Sequence, residues 1–281
     1  MAQIEELQKI CSQIRRDIVR MVHGCQSGHP GGSLGCVEFF VALYFKLMEH
    51  DPHFYMNGKN EDIFFLSNGH ISPVFYSTLA RSGYFSIDEL KTFRQIDSRL
   101  QGHPTTHEKL PGIRVASGSL GQGLSVAIGS ALTKKLNSDN HIVYCLCGDG
   151  ELQEGQIWEA MMYAGSKGVD NLILSVDVNK QQICGSTEEI LDLGSLKTKF
   201  AAFNWDVVEV GKGNSMEAVL NGLKTAQSMT SNGKPICVLL NTDMGYGVDY
   251  MMGSHKWHGI APNDEQLEIA LSQLDETLGD Y

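Results

Sequence analysis

Asp149, set between two glycines in Gly148-Asp149-Gly150, closes an apolar run from His141 to Cys147. Asn179 closes a second run, Asn171 to Val178, 30 positions later. That interval accommodates an exit turn, one helix and a return strand, the size of a βαβ unit. A right-handed crossover puts both side chains at the carboxyl ends of two parallel strands, on the sheet edge where open α/β folds bind ligands. Asp and Asn oxygens, with a backbone carbonyl, are hard ligands that suit Mg²⁺ or Ca²⁺. The flanking glycines let backbone N–H groups approach an anion closely. The pair fits a metal-bridged diphosphate, and a lone Gly-Asp-Gly fits a plain turn equally well. A helix starting near Gln156 would add its N-terminal dipole, a smaller effect than that of a divalent ion.

Four histidines sit beside glycines at the ends of apparent elements: His29 in Gly-His-Pro-Gly-Gly, His70 in Ser-Asn-Gly-His, His103 in Gly-His-Pro and His255 in Gly-Ser-His-Lys-Trp-His-Gly. Taken singly, each reads as a loop histidine with a backbone partner. Their shared context changes that, since imidazoles on strand-end loops can bind sugar hydroxyls or a diphosphate and move protons near neutral pH. His23, His50, His53, His107 and His141 lack the context and read as structural.

These residues need a frame, and the apolar pattern supplies one. Ile4, Leu7, Cys11, Ile14, Ile18, Met21 and Val22 recur at helical spacing, and a strongly apolar helix follows from about Leu34 to Met48. Ile63 to Leu66 reads as a buried strand, and Ser86 with Glu89 as a capping box opening a helix to about Arg94. Val207–Val210 and Ile236–Leu240 read as central parallel strands around a helix from about Met216 to Met229. Asn263 caps a last helix expected over 264–278. Strands alternating with helices predict an α/β fold, a doubly wound and mostly parallel sheet with helices on both faces.

The 281 residues are 42% hydrophobic, enough for one large core, and no linker or repeat divides residues 1–281, so a single domain is expected. A net charge of −11 and a pI near 5.3 disfavour nucleic-acid and anionic-membrane surfaces. Neither a signal peptide nor an apolar span long enough to cross a membrane is visible. Seven cysteines without CxxC spacing fit reduced thiols in a cytoplasmic protein, with Cys145 and Cys147 on one face of a strand.

Seven segments together resemble the amino-terminal, thiamine diphosphate-binding half of transketolases: SGHPGGSLG at 27–35, FLSNGH at 65–70, FRQIDSRLQGHP at 93–104, LPGIRVASGSLGQG at 110–123, GDGELQEG at 148–155, DVNK at 177–180 and MGYGVDYMMGSHKWHG at 244–259. The resemblance implies that Asp149 and Asn179 bind the metal through side chains and Gln181 through its carbonyl. It places His70, Gly150 and His255 at the diphosphate, Gly118 and Leu120 at the aminopyrimidine, and His29 and His103 at the reacting sugar carbons. It puts Glu154 in a carboxylate network across a subunit interface, against an ordinary exposed glutamate. Two segments depart from the usual pattern: Ser119 stands in a Gly-Pro-Leu-Gly-Gln-Gly run, and Gly32-Ser33 where many transketolases have Ala-Pro. Both soften a loop without removing a ligand.

Transketolases continue into a pyrimidine-binding domain and a carboxyl-terminal domain, which supply the glutamate that activates the cofactor ring and most of the basic residues for the substrate phosphate. By resemblance, this chain is therefore expected to be the amino-terminal subunit of a split transketolase of the pentose phosphate pathway type, inactive alone. A separate chain would carry the missing domains in an α₂β₂ heterotetramer. Two alternatives stay open: the α-subunit of another thiamine diphosphate enzyme, 2-oxoacid dehydrogenase or deoxyxylulose-phosphate synthase-like, and a non-catalytic cofactor-binding paralogue.

Overall fold

Runs rich in β-branched, aromatic and leucine residues form five parallel strands: β1 (Ile63–Leu66), β2 (Val143–Gly148), β3 (Leu172–Val178), β6 (Asp206–Val210) and β7 (Ile236–Asn241). The computed structural model describes residues 2–281. The sheet order is β1-β2-β3-β7-β6, so the chain steps across three neighbouring strands, leaves for the far edge and returns between β3 and β6. A short antiparallel hairpin, β4 (Gln181–Gln182) with β5 (Gly185–Ser186), follows β3 directly.

Alternation along each strand divides the core into two layers, as a sheet covered on both faces requires. Phe64, Leu66, Tyr144, Leu146, Ile173 and Val238 face one layer. It is closed by α1 (Ala2–Gly24), α2 (Pro30–Gly35), α3 (Val37–Ala42), α4 (Ser72–Arg81) and α9 (Met216–Ser228). Ile63, Phe65, Val143, Leu174, Val176 and Cys237 face the other, under α5 (Gly123–Leu136), α6 (Gly155–Lys167) and α8 (Leu196–Ala202). Cys145 and Cys147 share that second face, as their alternation predicts. The doubly wound α/β reading of the sequence describes this architecture. No helix among the described residues is long and apolar enough to cross a membrane.

Four local expectations differ from what forms. The helix expected from Leu34 to Met48 is broken at Cys36 and ends in a π turn over Leu43–Leu47. The Gly35 carbonyl is taken by Asn214 Nδ2 at 2.8 Å, which draws it away from the helix ladder. Ser86 and Glu89 make no capping box, because the Glu89 carboxylate is held by Arg99 and the segment Ile87–Thr92 is 3₁₀. β6 is an edge strand and partly exposed, whereas the sequence reading made it central. The last helix, α10 (Asp264–Gln273), has the expected cap in Asn263, joined by Gln266 in a capping box. It stops short of Leu278 because Arg16 Nη1 takes the carbonyls of Leu271 and Leu274. The hairpin strand β5 leads into a short helix, α7 (Thr187–Leu191).

Candidate active site

The carboxyl ends of β1, β2 and β3 open onto one cavity of about 360 Å³. Two more open clefts, about 560 and 570 Å³, flank it and share its rim at Gln181. We take the smaller cavity as the site because the charged and imidazole groups converge there. Parallel register sets Gly148 beside Asp177, and the Asp149 N–H extends the ladder to the Asp177 carbonyl at 3.1 Å. Asp149 and Asn179 therefore arrive together by strand geometry, with Gln181 and Gln182 on the hairpin just beyond.

Asp149 is buried, and its carboxylate accepts from Gly150 N at 2.8 Å and Lys180 N at 2.6 Å. Burial pushes the Asp149 carboxyl up to about 7, and the neighbouring Asp177 carboxylate adds to the push against those two N–H groups. Asp177 is also raised by burial; it is held by the Thr242 hydroxyl and by Asn179 Nδ2 at 2.7 Å. Among the described residues neither aspartate forms an ion pair, and no three His, Cys, Asp or Glu side chains gather into a metal cluster. Glycines keep this floor low: a Cβ on Gly150 would meet Gln182 Oε1 at 3.2 Å, and Gly118 has φ +130°.

An imidazole group forms one wall. The His29 ring lies 5.1 Å from that of His70, 6.2 Å from His103 and 5.4 Å from His258, and the rings of His70 and His258 are 5.0 Å apart. His29 is set by Gly28 at φ +138° before it and by Pro30, the first residue of α2, after it. His70 follows β1 in a 3₁₀ turn, and His103 packs against Gly118. Desolvation depresses all four imidazoles. His29 falls to about 4, with His258, Arg94 and His103 adding repulsion, and His70 falls well below the usual value. His103 and His258 are lowered too. Near neutral pH the wall is therefore uncharged, able to accept or donate a single proton at each ring.

The fold brings most of the residues expected from the sequence here: His29, His70, Gly118, Leu120, Asp149, Gly150, Glu154, Asn179 and Gln181 all line the cavity, with His103 adjoining through His29 and Gly118. One choice is corrected. His255 opens the turn His255–His258 and lies outside the lining, within electrostatic reach of Glu189, whereas His258 points into the site. Three residues bring the turn round, so the second histidine of Ser-His-Lys-Trp-His is the inward one. Glu154 reaches the cavity rim but is exposed, with no capping bond at the start of α6. The buried Asn68, Glu151 and Asp177 were missed. Their signal was position alone, each within two residues of a residue already singled out.

A family described as the thiamine diphosphate-binding domain of transketolase matches residues 7–277. The chain belongs to the transketolase family. It is 39% identical over 273 residues to an apulose-4-phosphate transketolase subunit of Actinobacillus succinogenes, covering 97% of each chain. It is 37% identical to the 6-deoxy-6-sulfo-D-fructose transketolase subunit SqwG of a Clostridium species, covering 96% of this chain and 97% of that one. Among solved structures, the transketolase of Campylobacter jejuni superposes with a TM-score of 0.88 at 34% identity, covering 97% of this chain and 43% of that one. The chain thus spans about two fifths of such longer transketolases and nearly all of the two relatives named as transketolase subunits. The readings as a 2-oxoacid dehydrogenase or deoxyxylulose-phosphate synthase-like subunit give way to transketolase.

Proposed function

We propose that residues 1–281 form the diphosphate-binding domain of a split transketolase. In this reading the chain binds thiamine diphosphate with a divalent metal, Mg²⁺ or Ca²⁺. With a partner subunit it transfers a two-carbon ketol unit from a ketose phosphate to an aldose phosphate. The observation that carries the reading is the convergence of Asp149 and Asn179, on adjacent strand ends, with the four-imidazole wall at one cavity. Two adjacent buried carboxylates with no cationic partner among the described residues, in a cavity that Asn179 and Gln181 also line, suit a hard cation.

When bound, thiamine diphosphate supplies carbanion chemistry that no protein side chain can. Asp149, Asn179 and Gln181 hold the metal, while the Gly150 backbone and His70 face the diphosphate. Gly118 and Leu120 bound the ring end. His29, His103 and His258, their pKa values lowered by partial desolvation, orient sugar hydroxyls and hold or release a proton at their ring nitrogens. The Nδ1 atoms of His29 and His258 are buried and have no partner among the described residues, so both are free to take a ligand hydrogen bond. Glu154, exposed at the rim, is free to join a carboxylate network with a second copy across an interface.

The near-complete match to relatives named as transketolase subunits, and the two-fifths match to longer transketolases, support a separate chain carrying the pyrimidine and carboxyl-terminal domains in an α₂β₂ assembly. The relatives' named sugars carry a phosphate or a sulfo group, so the proposed substrates are sugars with an anionic far end, handled in the cytoplasm. A ketol-transfer assay decides: turnover only with the partner present is expected, and full turnover by the chain alone would contradict the split-site reading.

A further inference from the structure

Glu151 lies two residues beyond Asp149 and is 3% exposed, and among the described residues no cation pairs with it. Its partners are neutral donors from three separate segments. Oε1 accepts from Ser67 Oγ at 2.5 Å and from Gly121 N at 2.7 Å; Oε2 accepts from Gly148 N at 3.1 Å. Ser67 Oγ in turn accepts from Gly123 N at 3.0 Å. Burial holds the Glu151 carboxyl above the usual range, and the donors from Ser67, Gly121 and Gly148 pull it back. A buried carboxylate is costly unless its oxygens are satisfied. Only an acceptor-only group with two oxygens can receive all three of these donors without presenting a donor of its own.

Each tied segment carries a different part of the site. Ser67 precedes the 3₁₀ turn Gly69–Ile71 that carries His70, Gly148 precedes Asp149, and Gly121 and Gly123 close the loop that holds Gly118 and Leu120. Gly148 is already fixed, paired with Asp177 in the ladder. The 118–121 loop has no ladder; apart from Glu151, its hydrogen-bonded ties to the core among the described residues are Gln156 Nε2 on the Leu120 carbonyl at 3.0 Å and, at its closing end, Gly123 N on Ser67 Oγ. Gly118 and Gly121, at φ +130° and +86°, add no stiffness of their own. The sheet-fixed end of β2 is thus passed to the loop through one carboxylate.

We infer that Glu151 is a positioning residue that locks the Gly118–Leu120 loop to the end of β2, setting the distance between the ring end and the metal–diphosphate end of the cofactor site. The inference rests on the thiamine diphosphate reading above. Two probes separate the ends of the site: inorganic diphosphate with Mg²⁺ reports only the Asp149 end, and thiamine diphosphate with Mg²⁺ reports both.

Calorimetry on the full chain with its partner subunit, comparing wild type, Glu151→Ala and Ser67→Ala, tests it. Glu151→Ala should weaken thiamine diphosphate about tenfold, the scale of a lost charged hydrogen bond, and leave inorganic diphosphate near wild type. Ser67→Ala should shift the same ratio in the same direction by less. Hydrogen exchange should quicken at the Gly121 and Gly123 amides and stay unchanged in β2 and β3. Equal losses for both probes, or an unchanged ratio with unchanged exchange at Gly121, overturns the positioning role. If Glu151→Ala does not fold, the ratio and exchange in Ser67→Ala decide alone. Failure of the wild-type assembly to bind thiamine diphosphate at all instead removes the cofactor reading, and this inference with it.

Discussion

Asp177 accepts a 2.7 Å hydrogen bond from Nδ2 of Asn179, which turns the Asn179 amide oxygen away from the aspartate and toward the Gln181 N–H, 2.9 Å away. The other Asp177 oxygen is held by the Thr242 hydroxyl at the end of β7, so a chain of two bonds runs from the sheet to the amide that faces the site. Thr242→Val removes a donor from a fully buried carboxylate at nearly constant shape. Leaving that acceptor unsatisfied should cost about 1–3 kcal/mol, read as a lower urea midpoint with unchanged slope. An unchanged midpoint would show that Asp177 does not depend on Thr242.

The two histidines of the 255–258 turn make opposite predictions. His258 is packed between His29 and His70, and its substitution by Asn should lower kcat/KM with the partner present by about 10²-fold or more, the usual scale for a positioned proton-handling group. His255→Asn, outside the cavity lining, should leave the rate near wild type. Matching effects of the two substitutions would contradict the placement of His258.

Acid stability is affected by the partly buried imidazole wall. His29 has a folded pKa near 4, below its ordinary 6.5, and His70, His103 and His258 are shifted in the same direction. At these four rings the unfolded chain therefore binds more protons than the folded one below about pH 6.5, so their contribution to stability falls as pH falls from there toward 4. Asp149 acts in the opposite sense. Its folded pKa of about 7 lies above the unfolded 3.8, so its contribution is full below 3.8 and is lost as pH rises toward 7. Asp177 and Glu151, also raised by burial, act in the same sense as Asp149, so the imidazole contribution is read between about pH 6 and 4.5 as the difference between wild type and His29→Asn. Denaturant midpoints across that range check it, and His29→Asn should flatten the slope. Parallel pH profiles for wild type and His29→Asn would refute the neutral wall.

Much of this site was legible because strand ends are legible. Asp149 and Asn179 terminate unmistakable apolar runs, and a parallel sheet must bring such ends to one edge; Gly28 and Gly118 mark places where a positive φ disfavours any side chain. The choice between His255 and His258 was not legible, because it depends on the phase of a single 3₁₀ turn and no periodic pattern sets that phase. Glu151 was hidden for a different reason: an acidic residue after a turn reads as solvated, and only the tertiary arrival of Ser67 and Gly121 shows why it is buried. The break at Cys36 and the failed Ser86 cap likewise come from Asn214 and Arg99, partners remote from the segments they alter.

The central claim is that the ends of β2 and β3 hold a metal-bridged diphosphate, and thiamine diphosphate titrated calorimetrically into the assembled protein tests it most directly. Binding should be seen with Mg²⁺, vanish under chelation, and be abolished or severely weakened in Asp149→Ala even with Mg²⁺ present. Binding that persists without a divalent metal, or that is untouched by Asp149→Ala, would contradict the account.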